Sequence, residues 1–211
     1  MSHHVVLLGD SVFDNRAYTG GEPDVVTHLG EILPSHWKAT LCAVDGSTTV
    51  DLKAQLQNVP PDATHVVISL GGNDALSNID VLWQPVASTT EALGLFGERV
   101  SQFESSYGEA IDSALSLKRQ TTICTIYNGN LDPGEAPLAR IALMMFNDVI
   151  LRVAFEHGLS VIDLRLICDE IVDYANSIEP SGIGGRKIAE AIANSIGASG
   201  KDVRCSRVFS D

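Results

Sequence analysis

The sequence predicts a doubly wound α/β domain built on a parallel sheet, and three observations predict it. Short apolar runs rich in β-branched residues alternate along the chain with stretches of helical periodicity. The runs are apolar at consecutive positions, as in Val5-Val6-Leu7-Leu8 and Val66-Val67-Ile68, which suits strands covered on both faces. The first three runs end in turn-forming residues, Gly9-Asp10-Ser11, Asp45-Gly46-Ser47 and Gly71-Gly72-Asn73-Asp74. In an open α/β sheet that edge collects the functional groups.

Each element follows in order. Residues 5–8 form the first strand, and Gly9 lets the chain turn sharply towards Ser11. Residues 23–33 have helical apolar spacing and stop at Pro34. Residues 40–44 make the second strand, residues 49–57 a short helix, and residues 64–70 the third strand. With right-handed crossovers this β-α-β-α-β beginning gives a parallel sheet with helices on both faces. Residues 89–118 form one long helix or two shorter ones, with Gly94, Gly97 and Gly108 as weak points. Residues 121–127 are the fourth strand and 136–157 a helix with Pro137 in its first turn and Gly158 as its stop. Residues 159–164 are the fifth strand, residues 176–184 a loop and residues 185–196 the last helix. Residues 199–211 read as a tail or an added edge strand.

A chain of 211 residues, 45% hydrophobic and 19% charged, can bury a sizeable core within one domain spanning 1–211. The formal net charge of -13 works against phosphate backbones and anionic membrane surfaces, so nucleic acid is not an expected partner. Strand-like sequence from Val5 leaves no room for a leader, and no apolar run approaches membrane-spanning length. The expectation is a cytoplasmic protein without membrane insertion; its oligomeric state stays open. Cys42, Cys124, Cys168 and Cys205 show no C-x-x-C pair or zinc spacing, and no cofactor or metal is implied. Cys42 and Cys124 read as small core hydrophobes.

The turn-ending strands converge on one chemistry. They bring to one sheet edge the Ser11 hydroxyl, the backbone N–H groups of Ser11 and Gly46, and the Asn73 amide. Acyl transfer needs that combination, because a nucleophile attacks a carbonyl and neutral donors must meet the oxyanion that develops. On these residues the chain resembles the GDSL-type, or SGNH, hydrolases, whose flavodoxin-like domain uses a serine, a glycine, an asparagine and a histidine from four separated blocks. Ser11 in Gly9-Asp10-Ser11-Val12, Gly46, and Asn73 in Gly71-Gly72-Asn73-Asp74 match the first three blocks. The resemblance spans Val5 to about Ile196 and implies a lipase or esterase with a serine nucleophile and an oxyanion hole, acting on a small or carbohydrate-linked ester.

The fourth block departs from the family's Asp-x-x-His. Here it reads Asn176-Ser177-Ile178-Glu179, with Glu179 in the place of the histidine. An imidazole exchanges protons near neutrality, whereas a carboxylate is a weaker base unless burial raises it. Three roles stay open for Glu179: a base with a raised pKa, helped by an apolar wall and by Asp10 or Asp74 as like-charged neighbours; a ligand-binding group in a site that does not turn over; or a turn residue. His3, His4, His28, His36, His65 and His157 all fall away from the strand ends that carry the site. Asp10 is expected to fix the turn before Ser11, Asp14 and Asn15 to line the pocket, and Asp74 to lie beside it or cap the helix after the third strand.

Overall fold

The computed structural model describes residues 3–200, 205, 206, 208 and 209. Strands β1 (His3–Gly9), β2 (Trp37–Leu41), β3 (His65–Ser69), β4 (Gln120–Cys124) and β5 (Ser160–Ile162) form one sheet in the order β2-β1-β3-β4-β5. All four neighbouring pairs are parallel. Helices cover both faces: α1 (Val25–Ile32), α2 (Leu52–Leu56), α3 (Gly72–Leu76), α4 (Thr89–Leu115), α5 (Ala136–Glu156) and α6 (Gly182–Ser195). Among the described residues no helix is long and apolar enough to cross a membrane.

The consecutive apolar residues of β1 split between the two faces because successive side chains of a strand point opposite ways. Val5 and Leu7 pack with Val25 and Leu29 of α1 and Ile188 and Ile192 of α6. Val6 and Leu8 pack on the other face with Leu52 of α2, Phe103 and Ile111 of α4, and Ile150 of α5. All four β1 side chains are fully buried, each worth about 1.5–3 kcal/mol of transfer free energy.

Several boundaries differ from the sequence reading. β2 begins at Trp37, because residues 37–39 pair with His3, His4 and Val5 of β1. It ends at Leu41, because the N–H groups of Cys42 and Ala43 both go to the Leu7 carbonyl, at 2.8 and 2.9 Å, and the regular ladder breaks there. β4 ends at Cys124, since the Ile126 N–H turns to the Asn147 side chain. β5 ends at Ile162, where Asp163 caps a single helical turn, Leu164–Leu166. Residues 89–115 are one helix, capped by Ser88, and α6 starts at Gly182 because Ser181 accepts the Gly184 N–H. The segment 199–211, read as a tail or an added edge strand, lies in part outside the described residues. A further difference bears on the site: α3 begins directly after Gly71 and carries Asn73 in its first turn.

Strand order reverses between β1 and β3, so a crevice opens at their carboxyl ends, the usual ligand position in this architecture. Gly9, with φ of +130°, is the last β1 residue paired to β3. A Cβ there would lie 1.8 Å from the Ser69 carbonyl oxygen, so only glycine lets the two strands run together to the point where Ser11 emerges.

Candidate active site

Ser11 stands in a tight turn at the end of β1. Phe13 and Asp14 donate their N–H groups to the Asp10 carbonyl, and Val12 donates to the Asp10 carboxyl at 3.1 Å. The hydroxyl of Ser11 donates to Glu179 Oε1 at 3.1 Å, across 168 positions of sequence. Both side chains are buried, Ser11 at 8% and Glu179 at 7% exposure, so their contact is shielded from bulk water.

Backbone constraints hold Glu179 in that place. Asn176 Oδ1 accepts the N–H groups of Ile178 and Glu179, each at 2.9 Å. Thus the residue that stands where the family aspartate is expected organises the turn instead of orienting a histidine. Asn15 Nδ2 donates to the Pro180 carbonyl, Tyr127 Oη to the Ile178 carbonyl, and Tyr174 and Pro180 form a β-bridge. Burial raises the Glu179 carboxyl above its ordinary value; the Ser11 hydrogen bond opposes this and the charge of Asp45 adds to it. Its other oxygen, Oε2, is buried without a hydrogen-bond partner. Asp45 is a like-charged neighbour that the sequence did not suggest, and the expected Asp10 also interacts with Glu179, whose charge raises the Asp10 carboxyl.

Asn73 lies in the first turn of α3, and its Nδ2 donates to the Ser47 carbonyl at 2.9 Å. An amide nitrogen carries two protons, so a second N–H remains. Gly46 occupies the third position of the turn at residues 44–47, closed by Ser47 N–H to the Val44 carbonyl, with φ of +80°. That conformation favours glycine.

A cavity of about 240 Å³ contains Ser11, Asn73, Glu179 and Asp10 at one end. Its remaining wall is mainly apolar, with Leu76, Ile79, Trp83, Phe96, Leu138 and Leu143 from α3, the turn at Ile79–Trp83, α4 and α5. Among the described residues lining it there is no histidine. His28 Nε2 pairs instead with the Gly182 carbonyl, and His157 with Asp112.

Gly46, Asp14, Asn15 and Asp74 lie outside the cavity lining. Asp14 accepts the Asp45 N–H at 3.0 Å, and Tyr18 donates to the Asp45 carboxylate, so the nucleophile turn is tied to the loop carrying Gly46. Asn15 is fully buried between Pro180 and the Val25 N–H. Asp74 accepts from the N–H and hydroxyl of Thr49 and borders a separate polar groove with Arg99 and Ser106; burial raises its carboxyl. It sits inside α3 and does not cap it, because Gly71 is the capping residue.

The sequence reading missed two buried amides that shape this edge. Gln55 accepts the Gly9 N–H at 2.8 Å and donates to the Gly9 carbonyl at 2.7 Å. Asn147 does the same for Ile126, at 2.7 and 2.9 Å. Their only signal in sequence is an amide on an otherwise apolar helix face.

Residues 7–183 match the GDSL-like lipase/acylhydrolase family. The chain belongs to that family. No curated protein is similar enough in sequence to count as a relative. Among solved structures the fold is similar to that of an extracellular lipase from Streptomyces rimosus, at 16% identity and TM-score 0.69, covering 92% of this chain and 100% of that one. It is similar to the acetyl xylan esterase AlAXEase, at 16% identity and TM-score 0.68, over 92% and 99% of the two chains. Phospholipase A1 from Streptomyces albidoflavus NA297 aligns at 17% identity and TM-score 0.68, over 92% and 100%. The family membership supports ester hydrolysis in general, the solved structures share the fold, and Glu179 is this chain's own departure.

Proposed function

We propose that the chain is a serine-dependent carboxylic ester hydrolase in which Ser11 forms an acyl-enzyme and Glu179 takes the place of the histidine. The observation that carries this reading is the buried 3.1 Å hydrogen bond from Ser11 Oγ to Glu179 Oε1 at the polar end of the cavity. A nucleophile bonded to a base in a water-poor pocket is the arrangement that acyl transfer requires.

Ser11 Oγ bonds to the ester carbonyl carbon while its proton passes to Glu179. As the carbon–alkoxide bond breaks, Glu179 returns that proton to the leaving alcohol. Water then repeats the sequence on the acyl-enzyme, with Glu179 again accepting and releasing one proton. Donors for the oxyanion are the Ser11 N–H and the Asn73 amide, both residues of the cavity lining, each worth roughly 10²- to 10³-fold in rate where it meets the developing charge; Gly46, outside that lining, shapes the neighbouring turn. Burial helps Glu179, because a raised carboxylate is a stronger base.

The apolar wall supports an ester with a hydrophobic acyl group of several carbons, rather than the small or carbohydrate-linked ester expected from sequence. The free thiols, Cys205 exposed among them, support a reducing, cytoplasmic setting.

The test is hydrolysis of p-nitrophenyl acetate and p-nitrophenyl octanoate by the wild type beside Ser11→Ala, with mass spectrometry after a fluorophosphonate probe. The expected result is turnover that Ser11→Ala loses, a label on Ser11 and a higher kcat/KM for the octanoate. Well-folded protein with neither turnover nor label would sink the hydrolase reading. The apolar cavity would then stand as the binding site of a module that does not turn over.

A further inference from the structure

The reaction above leaves one buried acid of the cavity without a task. Asp10 is 3% exposed and lines the cavity with Ser11, Asn73 and Glu179. Its Oδ1 is held by the Val12 N–H at 3.1 Å. Its Oδ2 lies 3.7 Å from the position a Cβ on Gly72 would take, against the first turn of α3 and one residue from Asn73.

We propose that Asp10 works as an uncharged carboxylic acid that donates a hydrogen bond from Oδ2 to the ester's carbonyl oxygen while Ser11 attacks. This rests on the hydrolase reading above. The groups facing Asp10 are Glu179, Asp74, Cys124 and Tyr127, every one an acid. Among the described residues no lysine, arginine or histidine forms an ion pair with it, and Arg99, the one cation lining the cavity, pairs with Asp80 at 3.4 Å. A carboxylate removed from water without a cation is too costly to persist, so the group keeps its proton. Burial first, then the charges of Glu179 and Asp74, push it up to about 7, against the opposing Val12 hydrogen bond.

The two carboxyl groups of the site therefore divide the work. Glu179, bonded to the Ser11 hydroxyl, accepts the serine proton, whereas Asp10, protonated below about pH 7, meets the negative charge that forms on the carbonyl oxygen. The Oδ2 proton never leaves Asp10. Only a hydrogen bond strengthens as the oxyanion forms and weakens as it collapses, and the serine proton still travels to the leaving alcohol through Glu179. An ionised Asp10 would instead repel the oxyanion. In a site without an imidazolium, a neutral acid beside the nucleophile supplies the donor that charge development requires.

The experiment is the pH dependence of kcat/KM for p-nitrophenyl octanoate, followed by pH-stat titration in wild type, Asp10→Asn and Asp10→Ala. Infrared spectra of the protonated carboxyl band and thermal unfolding of each protein accompany it. The expected wild-type profile rises as Glu179 ionises and falls as Asp10 ionises near pH 7. Asp10→Asn keeps a donor and the Val12 bond. It lowers the acid-side rate by up to about tenfold, because an amide is a weaker donor than a carboxylic acid, yet erases the alkaline fall. Asp10→Ala loses about 10²-fold on the acid side, where wild-type Asp10 is a donor, and shows no alkaline fall. The infrared band titrates near pH 7 in wild type and is missing in Asp10→Asn.

Ser11-dependent turnover with the same alkaline limb in wild type and Asp10→Asn, or with no protonated carboxyl band near pH 6, would overturn the role of Asp10 and leave the hydrolase standing. Absence of any Ser11-dependent turnover would remove the hydrolase reading, and this proposal with it. A purely structural Asp10 would lower stability without moving the limb.

Discussion

The two edges of the sheet are built on opposite principles. At the amino-terminal edge the polar side chains satisfy one another: the His4 ring pairs with Asp62 at 3.0 Å and Thr40 at 2.8 Å. The Thr64 hydroxyl joins His65 to the His4 backbone, and His3 stacks on Trp37 at 4.3 Å. At the carboxyl-terminal edge side chains are spent on backbone instead. Gln55, Asn147 and Asn15 hold Gly9, Ile126 and Pro180, while among the described residues Asp10 forms no ion pair and Glu179 Oε2 has no hydrogen-bond partner. Unpaired buried acids destabilise a fold unless something over-determines their position. The contrast teaches that one edge of this sheet stabilises the molecule and the other keeps reactive groups poised.

Breaking the reactive edge has the largest expected effect. Glu179→Gln lowers kcat/KM by about 10²- to 10⁴-fold, the range for a lost general base. In the wild type, activity falls as pH drops through the raised Glu179 ionisation. Glu179→His moves that fall to about pH 6.5. Rate–pH curves of the three proteins check this, and equal curves would remove Glu179 from the mechanism.

Next comes the cost of the uncompensated acid. Asp10 holds its proton more tightly folded than unfolded, at about 7 against 3.8, so its contribution to stability is full below pH 4 and declines as pH rises to 7. At 1.36 kcal/mol per pH unit the decline is up to about 4 kcal/mol, and Asp10→Asn removes it. Urea unfolding at pH 5 and pH 8 should show a smaller difference in the variant. An unchanged difference would mean that Asp10 is ionised throughout.

Removing one of the amide clamps tests the rigid half of the same edge. Asn147→Ala leaves the N–H and carbonyl of Ile126 unpaired beside the cavity. The expected loss is roughly 2–3 kcal/mol of stability, with a raised KM, measured by urea unfolding and steady-state kinetics. The smallest effect belongs to the amino-terminal edge. Thr64→Val keeps the shape and removes the hydroxyl, costing about 1 kcal/mol with kcat/KM unaltered. Lost activity in Thr64→Val would dissolve the division between the edges.

Much of this architecture was legible in the chain. The consecutive apolar residues of β1 and β3 implied burial on both faces, and Gly9-Asp10-Ser11 and Gly71-Gly72-Asn73-Asp74 marked two strand ends that meet in the crevice. The start of α3 was not legible, because Gly71-Gly72 has the composition of a turn and the helix holds only five residues, so Asp74 read as a cap and not as an interior position. Asp14, Asn15 and Asp74 lie close to the nucleophile in space or motif, yet their polar atoms are committed to backbone partners, and those partners are invisible without the fold.

The sequence by itself determined the sheet, the nucleophile turn and the loss of the histidine, since apolar periodicity and turn chemistry are local properties read over a few residues. Only the tertiary structure decided that Ser11 meets Glu179, that α3, α4 and α5 wall a mainly apolar cavity, and that Asp10 pairs with no cation among the described residues. Those contacts join residues tens to more than a hundred positions apart. They are set by how the helices pack on the sheet, and burial, which decides the charge of each acid, belongs to the assembled fold and to no segment of it.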